Sequence, residues 1–488
     1  MKKNRFTPFL DTPTYILAVW LAVLLLFSQC QPVKPLKATL HRKMPAAFRN
    51  QPDAENSALL SWREYFVDST LRSLIDTALR NNLDLAIALQ RIEQAQSQVV
   101  ATKGLPLPYV NAVAGAGVKK FGRYTADAVG NYDVQFSPNI TREEVVPQVL
   151  PDLNVGLQAS WEVDIWKKLK NSKKAALSRY LATVEARKYI MTSVIAHVAE
   201  MYYDLLTLDN ELTTIRQTIE LQEKSLAIIE IQKSAGTSNE LAVKQFEAQV
   251  LNFKSLEIGI RQRILEIENR LNFLLGRFPQ PIPRNTSLFQ QPIPKVIHAG
   301  VPTDLLANRP DVREAEYQLL AANADVQAAR AAFYPSLNIT ATAGLQSFNP
   351  QFLLSPESIG YNLLGGLSAP LLNRSMIKAK FSYAKSVEIE ALLNYQQKVL
   401  RGYKEVYSQF IKLSNLEEMY ALKNQEVITL AQSTDISQTL FSTGRASYLE
   451  VILTQKNSLQ TRLELADLKK EQFNAVIDIY KALGGGWR

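Results

Sequence analysis

VPTDLLANRPDVREAE, residues 301–316, reads as a short helical turn, a break and a fresh helix start. Pro310 suits the first turn of a helix, where its missing N–H would be unpaired anyway. Asp311 sets a carboxylate against the positive end of the new helix. From Asp311 to Tyr334 there is neither Gly nor Pro, and Pro335 then stops the helix. The chain has already run this programme once, in NNLDLAIALQRIEQAQ from Asn81, which ends at Pro108. Asn81 and Asn308, Asp84 and Asp311, Ala88 and Ala315, Ala95 and Ala322, Pro108 and Pro335, and Asn111 and Asn338 are all 227 positions apart. A period of that length is too long for a solenoid and implies two similar halves.

Outward from this stretch the period changes. LNVGLQASWEVDIW places Leu153, Val155, Leu157, Ala159, Trp161, Val163 and Ile165 on one face, with Asn154, Gln158, Ser160, Glu162 and Asp164 opposite. That alternation predicts a strand with one apolar face. PYVNAVAGAGV before it and LNITATAGL in the second half alternate similarly, and YNLLGGLSAPLL, ending near Pro370, completes four strands. A loop of roughly thirty residues, 121–151, separates the first two. The helix opening at SWREYF buries Leu71, Leu74, Ile75, Ala78 and Leu79 on one face and is free of breakers to Lys103.

Two breaker-poor runs dominate the rest. Leu169–Ala235 has neither Gly nor Pro, and Arg374–Thr443 is interrupted only by Gly402. A helix of ~60 residues spans ~90 Å, so each must lie beside other long helices, as in a coiled-coil array. SAGTSNELAV turns the first and STGRASYLEV the second, at an offset of 208 (Gly236 to Gly444, Leu241 to Leu449). Returning helices run to Leu275 and Leu483. Each half thus reads helix, strand, loop, strand, long helix, turn, long helix. The domain boundaries expected are 1–29 for a signal peptide, 30–58 for an extended tether, and 59–285 and 286–488 for the two repeats, joined through the proline-rich stretch from Arg277.

The N-terminus carries a basic Lys2-Lys3-Arg5 region and an apolar run, Tyr15–Phe27, too short for a comfortable membrane span. It closes on Ser28-Gln29-Cys30, with the chain's single cysteine. This resembles a bacterial lipoprotein signal, in which that cysteine is acylated, although Gln29 stands where a small residue is usual. Ordinary signal-peptide cleavage nearby is the alternative. A lone cysteine allows no intrachain disulfide.

The net charge of +9 is spread widely with no basic cluster interleaved with aromatics, so nucleic acid is not an expected partner. His41, His197 and His298 have no metal-ligand spacing, and no phosphate loop, nucleophile elbow or acid pair occurs. No enzyme activity, metal or cofactor is expected. Four strands cannot span a membrane alone, because open edges leave backbone groups unpaired in lipid. A closed membrane barrel starts at about eight strands, so two or three chains would have to pool theirs. A structural periplasmic coiled-coil protein without channel activity is the rival reading, and it leaves the strands unexplained.

Trp62, Phe66, Asp68, the AL-x-NN-x-DL run at Ala78–Leu85, SWEVDIW at Ser160–Trp166, the stretch at Val301–Glu316 and ALGGGW at Ala482–Trp487 occur in an order that resembles the TolC-like outer membrane factor family. The likeness is to its NodT/OprM-type lipoprotein branch and covers nearly everything after the tether. It implies a mostly α fold with membrane β, made of two tandem repeats. The product would be a homotrimer with a twelve-stranded barrel in outer membrane lipid above a twelve-helix periplasmic tunnel. A periplasmic adaptor and an inner-membrane pump of the resistance-nodulation-division (RND) type would dock below, making the protein the exit duct of a tripartite efflux system. The likeness also implies that the turns at Gly236, Ser238, Gly444 and Ser447 form the periplasmic tip, and that Leu449 and Glu450 line a constriction. Leu453 stands where many relatives carry a further acid. Ser447 and Glu450 equally fit an S-x-x-E capping box. Trp161 and Trp166 fit an interfacial aromatic girdle, Trp166 equally a strand-to-helix junction. Asp311 and Arg313 are expected to serve the helix start.

Overall fold

A computed structural model describes residues 44–48, 59–284, 287–293, 300–369 and 374–487. These lie in one compact unit, Ala38–Arg488. Cys30 and the signal segment lie outside the described residues.

The expected elements are present in the expected order. A single turn, Trp62–Tyr65, precedes α1 (Ser69–Asn81), α2 (Leu83–Gly104), β1 (Tyr109–Lys119), α3 (Ala126–Val134), β2 (Leu150–Val163), α4 (Lys168–Ser234) and α5 (Glu240–Leu274). After a second turn, Asp304–Asn308, the chain repeats with α6 (Pro310–Ala331), β3 (Ser336–Ser347), β4 (Ile359–Ser368), α7 (Ser375–Ser442) and α8 (Tyr448–Ala482). The 67 residues of α4 and the 68 of α7 are each ~100 Å of helix.

Four details differ from the sequence reading. The helix expected from SWREYF to Lys103 breaks after the Trp62–Tyr65 turn, where Asp68 caps α1, and again at Asn82, whose side chain caps α2 by accepting from the Leu85 N–H at 3.1 Å. Asparagine competes for local backbone groups, so a breaker-free run can still end there. β2 stops at Val163, leaving Ile165 in the turn to α4. The loop between β1 and β2 contains α3, capped by Thr125. Finally, Met44–Phe48, within the segment read as a tether, is docked. Phe48 is buried, stacked 5.4 Å from Tyr403 and grouped with Leu305, Val406 and Phe410.

The strands form one antiparallel sheet in the order β1-β2-β3-β4, with Leu157 opposite Ala112 and Ala343, and Ala341 opposite Leu363. The outer edges of β1 and β4 pair with no strand among the described residues. On the strand side, α4 packs against α2 and α6, and α6 against α7. On the hairpin side the packed order is α5-α4-α8-α7. The main core lies between α1, α4 and α8, where Leu71, Ile75, Tyr202, Leu205 and Phe473 are almost fully buried. Tyr203 stacks on Phe473 at 4.1 Å and Tyr65 on Tyr480 at 4.0 Å. No described helix is long and apolar enough to cross a membrane, a test that does not address β-strands.

Candidate functional site: the hairpin tips and the joint that carries them

The joint is built where the opening stretch meets the C-terminus. Arg309 caps nothing with its side chain and is 4 % exposed. Its guanidinium forks onto Asp311 at 3.0 and 2.9 Å and donates from Nη1 to Glu405 on α7 and to the Ala482 carbonyl closing α8, both at 2.8 Å. The planar fork suits this geometry as lysine would not. Thus Asp311 does stand at its helix start, as expected, but its buried partner is Arg309, which the sequence reading passed over. Arg313 instead reaches Tyr317. The GGGW end folds over the same place. The Trp487 indole donates to the Asn308 carbonyl at 3.1 Å, Lys188 lies 4.4 Å from its ring, and the Thr192 hydroxyl donates to the Gly485 carbonyl at 2.9 Å.

The first repeat holds a simpler copy. Asn82 donates to the Leu274 carbonyl at 3.0 Å, as Arg309 donates to Ala482. The pairs correspond by the same offsets, 227 for Asn82 and Arg309 and 208 for Leu274 and Ala482. Gly276 and Gly484, at φ +64° and +91°, let the returning helices touch Asn81 and Asn308. A Cβ there would sit 2.3 Å from the Asn81 carbonyl oxygen and 2.6 Å from that of Asn308. The signal was present in the sequence, as a second glycine pair 208 apart.

Near the joint, Glu200 on α4 has its carboxyl pushed up to about 7, by burial first and by Asp478 next, with Lys481 opposing and Asp204 adding. An acid raised above its unfolded value holds its proton longer in the folded state, so folding loses stability as pH rises from about 4.5 towards 7. Glu200→Gln is therefore expected to raise the melting temperature at pH 8 and leave it little changed at pH 4.5. Equal shifts at both pH values would count against this.

At the far end, Gly236 (φ +76°) and Gly444 (φ +72°) turn the two hairpins. Ser238 lies in the bend, and capping of α5 falls to Asn239, which accepts from the Ala242 N–H at 3.0 Å. Ser447 caps α8, and Glu450 closes the capping box by accepting from the Ser447 N–H at 2.6 Å. Leu449 and Leu453 are half exposed. Between tip and joint, two apolar clusters, one around Ile215, Phe253 and Leu459 and one around Ile229, Phe246 and Val451, lie on either side of a buried polar layer. There the Gln222 amide donates to Gln455 at 2.6 Å across α4 and α8, and the Ser437 and Thr454 hydroxyls meet at 3.0 Å.

Paired helical hairpins standing on a sheet whose exposed face carries Val110, Leu157, Tyr361, Leu363 and Leu367 define an outer-membrane duct protein rather than a soluble coiled coil. A family model described as outer membrane efflux protein matches residues 74–277 and 301–485, and the chain belongs to that family. It is 29 % identical over 437 residues to the cation efflux system protein CusC of Escherichia coli O6:H1, covering 89 % of this chain and 90 % of that one. It is 30 % identical over 466 residues to the toluene efflux pump outer membrane protein TtgI of Pseudomonas putida, covering 94 % of each. A crystal structure of CusC superposes with a TM-score of 0.79 at 26 % identity, covering 94 % of this chain and 99 % of that one. The protein is thus an outer membrane efflux protein, and the family consists of channel proteins rather than enzymes.

Proposed function

We propose that three copies of the chain assemble into one continuous exit duct, a twelve-stranded barrel above a twelve-helix tunnel. The observation that carries this reading is that the chain is open on both sides. Among the described residues β1 and β4 end the sheet with unpaired edges, which lipid does not tolerate. The outer helices of the hairpin strip carry exposed apolar residues at heptad spacing, Leu251, Ile258 and Leu265 on α5 and, two heptads apart, Leu422 and Ile436 on α7, each 51 to 70 % exposed. Such seams associate as coiled coils, so α5 of one copy faces α7 of the next while β1 joins β4. Native mass spectrometry in detergent is expected to give a trimer. A stable folded monomer or dimer would sink the model.

The tips then meet a periplasmic adaptor, and an RND-type inner-membrane pump supplies the cargo. Cys30, when acylated, adds a lipid anchor to a barrel that already holds the membrane. Relatives are named for cation and for toluene efflux, and the cargo of this duct is assigned to its pump. At the tip, Leu449 and Glu450 form a threefold ring of apolar and charged side chains. Glu450 also closes the helix cap. Glu450→Gln separates the two roles, because glutamine still closes a capping box but carries no charge. The expected result in planar bilayers is lower cation preference or higher basal conductance with unchanged melting. Unaltered conductance and selectivity, with stability lost only in Glu450→Ala, would assign the residue to the cap alone.

A further inference from the structure

The antiparallel sheet has one end at which every strand joins a helix: β1 after α2, β2 before α4, β3 after α6 and β4 before α7. That end is strongly basic. Between Asp164 and Glu185 no acid occurs, while Lys167, Lys168, Lys170, Lys173, Lys174 and Arg179 do. The second repeat does the same, with Arg374, Lys378, Lys380 and Lys385 before the first acid of α7, Glu388. Lys103 and Arg330 add a base to the last turns of α2 and α6. Several of these groups are occupied. Lys168 pairs with Glu162 at 2.9 Å, Arg179 with Asp325, and Lys385 with Glu388 at 3.1 Å, and Arg374 donates to the Phe333 carbonyl. The side chains of Lys167, Lys170, Lys173, Lys174, Lys378 and Lys380 make no ion pair with any described residue, and all but half-buried Lys173 are exposed.

One observation places this patch at a membrane boundary, and a second shows that its first lysine is held in place. Trp166 stacks on Tyr334 at 4.6 Å and donates its indole N–H to the Pro335 carbonyl at 2.7 Å, an aromatic pair immediately beside the lysines. Lys167 itself is held at φ +59°, the one positive-φ residue other than glycine among the described residues. Asp164 fixes that turn by accepting from the Leu169 and Lys170 N–H groups at 2.9 and 2.8 Å. A non-glycine residue in that region is uncommon and persists only where the surrounding structure holds it.

We infer that the six unpaired lysines form a docking girdle for the phosphates of anionic phospholipids in the leaflet facing the helices. Lysine stems reach along apolar surface while the ammonium stays at headgroup level. Each lysine near an anionic bilayer surface adds to the attraction, and salt screens it. Recurrence in both repeats, multiplied by assembly, makes the girdle continuous around the duct. It fixes how deep the barrel sits and which lipids surround it. This rests on the outer-membrane reading above.

The test uses full-length protein in nanodiscs of phosphatidylcholine and phosphatidylglycerol, with bromine on the acyl chains of one lipid at a time. Quenching of Trp166 fluorescence, taken as the difference from Trp166→Phe, is expected to show about fivefold enrichment of phosphatidylglycerol. It should fall towards parity in 0.5 M salt, roughly a 4 Å screening length. It should fall likewise in the variant carrying Lys→Gln at positions 167, 170, 173, 174, 378 and 380, with trimer content checked in parallel. Equal quenching by both lipids, or a preference the variant retains, overturns the inference. So does a variant that changes conductance or loses binding to peptidoglycan sacculi with no lipid preference at stake, since the lysines would then serve the duct or the cell wall. Failure of the protein to enter a bilayer at all overturns the outer-membrane reading with it.

Discussion

Arg309→Ala is expected to cost about 3–5 kcal/mol, the usual penalty for stripping one partner from a buried ion pair. Asp311 would be left charged, 4 % exposed and without its fork, while the Ala482 carbonyl at the end of α8 would lose its donor. Arg309→Lys should recover little, because one ammonium cannot fork onto Asp311 and also reach Glu405 and Ala482. Replacing both members, Arg309→Met with Asp311→Leu, should destabilise less than Arg309→Ala alone, since no charge is then stranded. The measurement is thermal or denaturant unfolding of the purified assembly. If Arg309→Ala melts with the unaltered protein, the guanidinium is not the clasp described. Arg309 ties the start of α6 to the middle of α7 and the end of α8, so its loss loosens three elements at one place.

Gly484→Ala is the second large effect. A methyl group at φ +91° costs about 1–2 kcal/mol from the left-handed backbone alone. The new Cβ would also stand 2.6 Å from the Asn308 carbonyl oxygen and 2.9 Å from the Arg309 nitrogen, backbone atoms that cannot step aside cheaply. Gly276→Ala should behave alike, with its Cβ 2.3 Å from the Asn81 carbonyl oxygen. Gly236→Ala supplies the control. It shares the positive φ, at +76°, but meets nothing within 4 Å, so only the backbone cost of about 1–2 kcal/mol applies. Melting temperatures should therefore fall more for positions 276 and 484 than for 236. Equal losses at all three would show that the close approach carries no weight.

Both variants act on contacts that join the two repeats' motifs to the ends of their returning helices, and the motifs themselves were visible before any coordinates. NNLDL and NRPDV announced the duplication, and ALGGGW stood out at the end of the chain. What they were for was not visible. Arg309 lies 96 positions from Glu405 and 173 from Ala482, and no local pattern reports a partner at that range. The lysine run at 167–174 escaped for a related reason. Its meaning depends on lying at the one end of the sheet where all four strands meet helices, and that end exists only once β1 to β4 are paired.

The sequence alone determined the class of fold, because breaker-free runs and side-chain period are local properties of the chain. Helix or strand follows from whether apolar residues recur at 3.6 or at 2, and the lengths of α4 and α7 follow from the absence of Gly and Pro inside them, Gly402 excepted. Only tertiary structure decided where the Asn82 side chain is held, its amide donating to the distant Leu274 carbonyl while its oxygen caps α2, and the docking of Phe48, where a core had room for a segment that looked extended. It also decided that Gly402 exists to admit Arg309, whose Nε lies 3.1 Å from where its Cβ would be. The physical reason is common to all three. Each is settled by which atoms from distant parts of the chain compete for one place, and that competition begins only when the helices have packed.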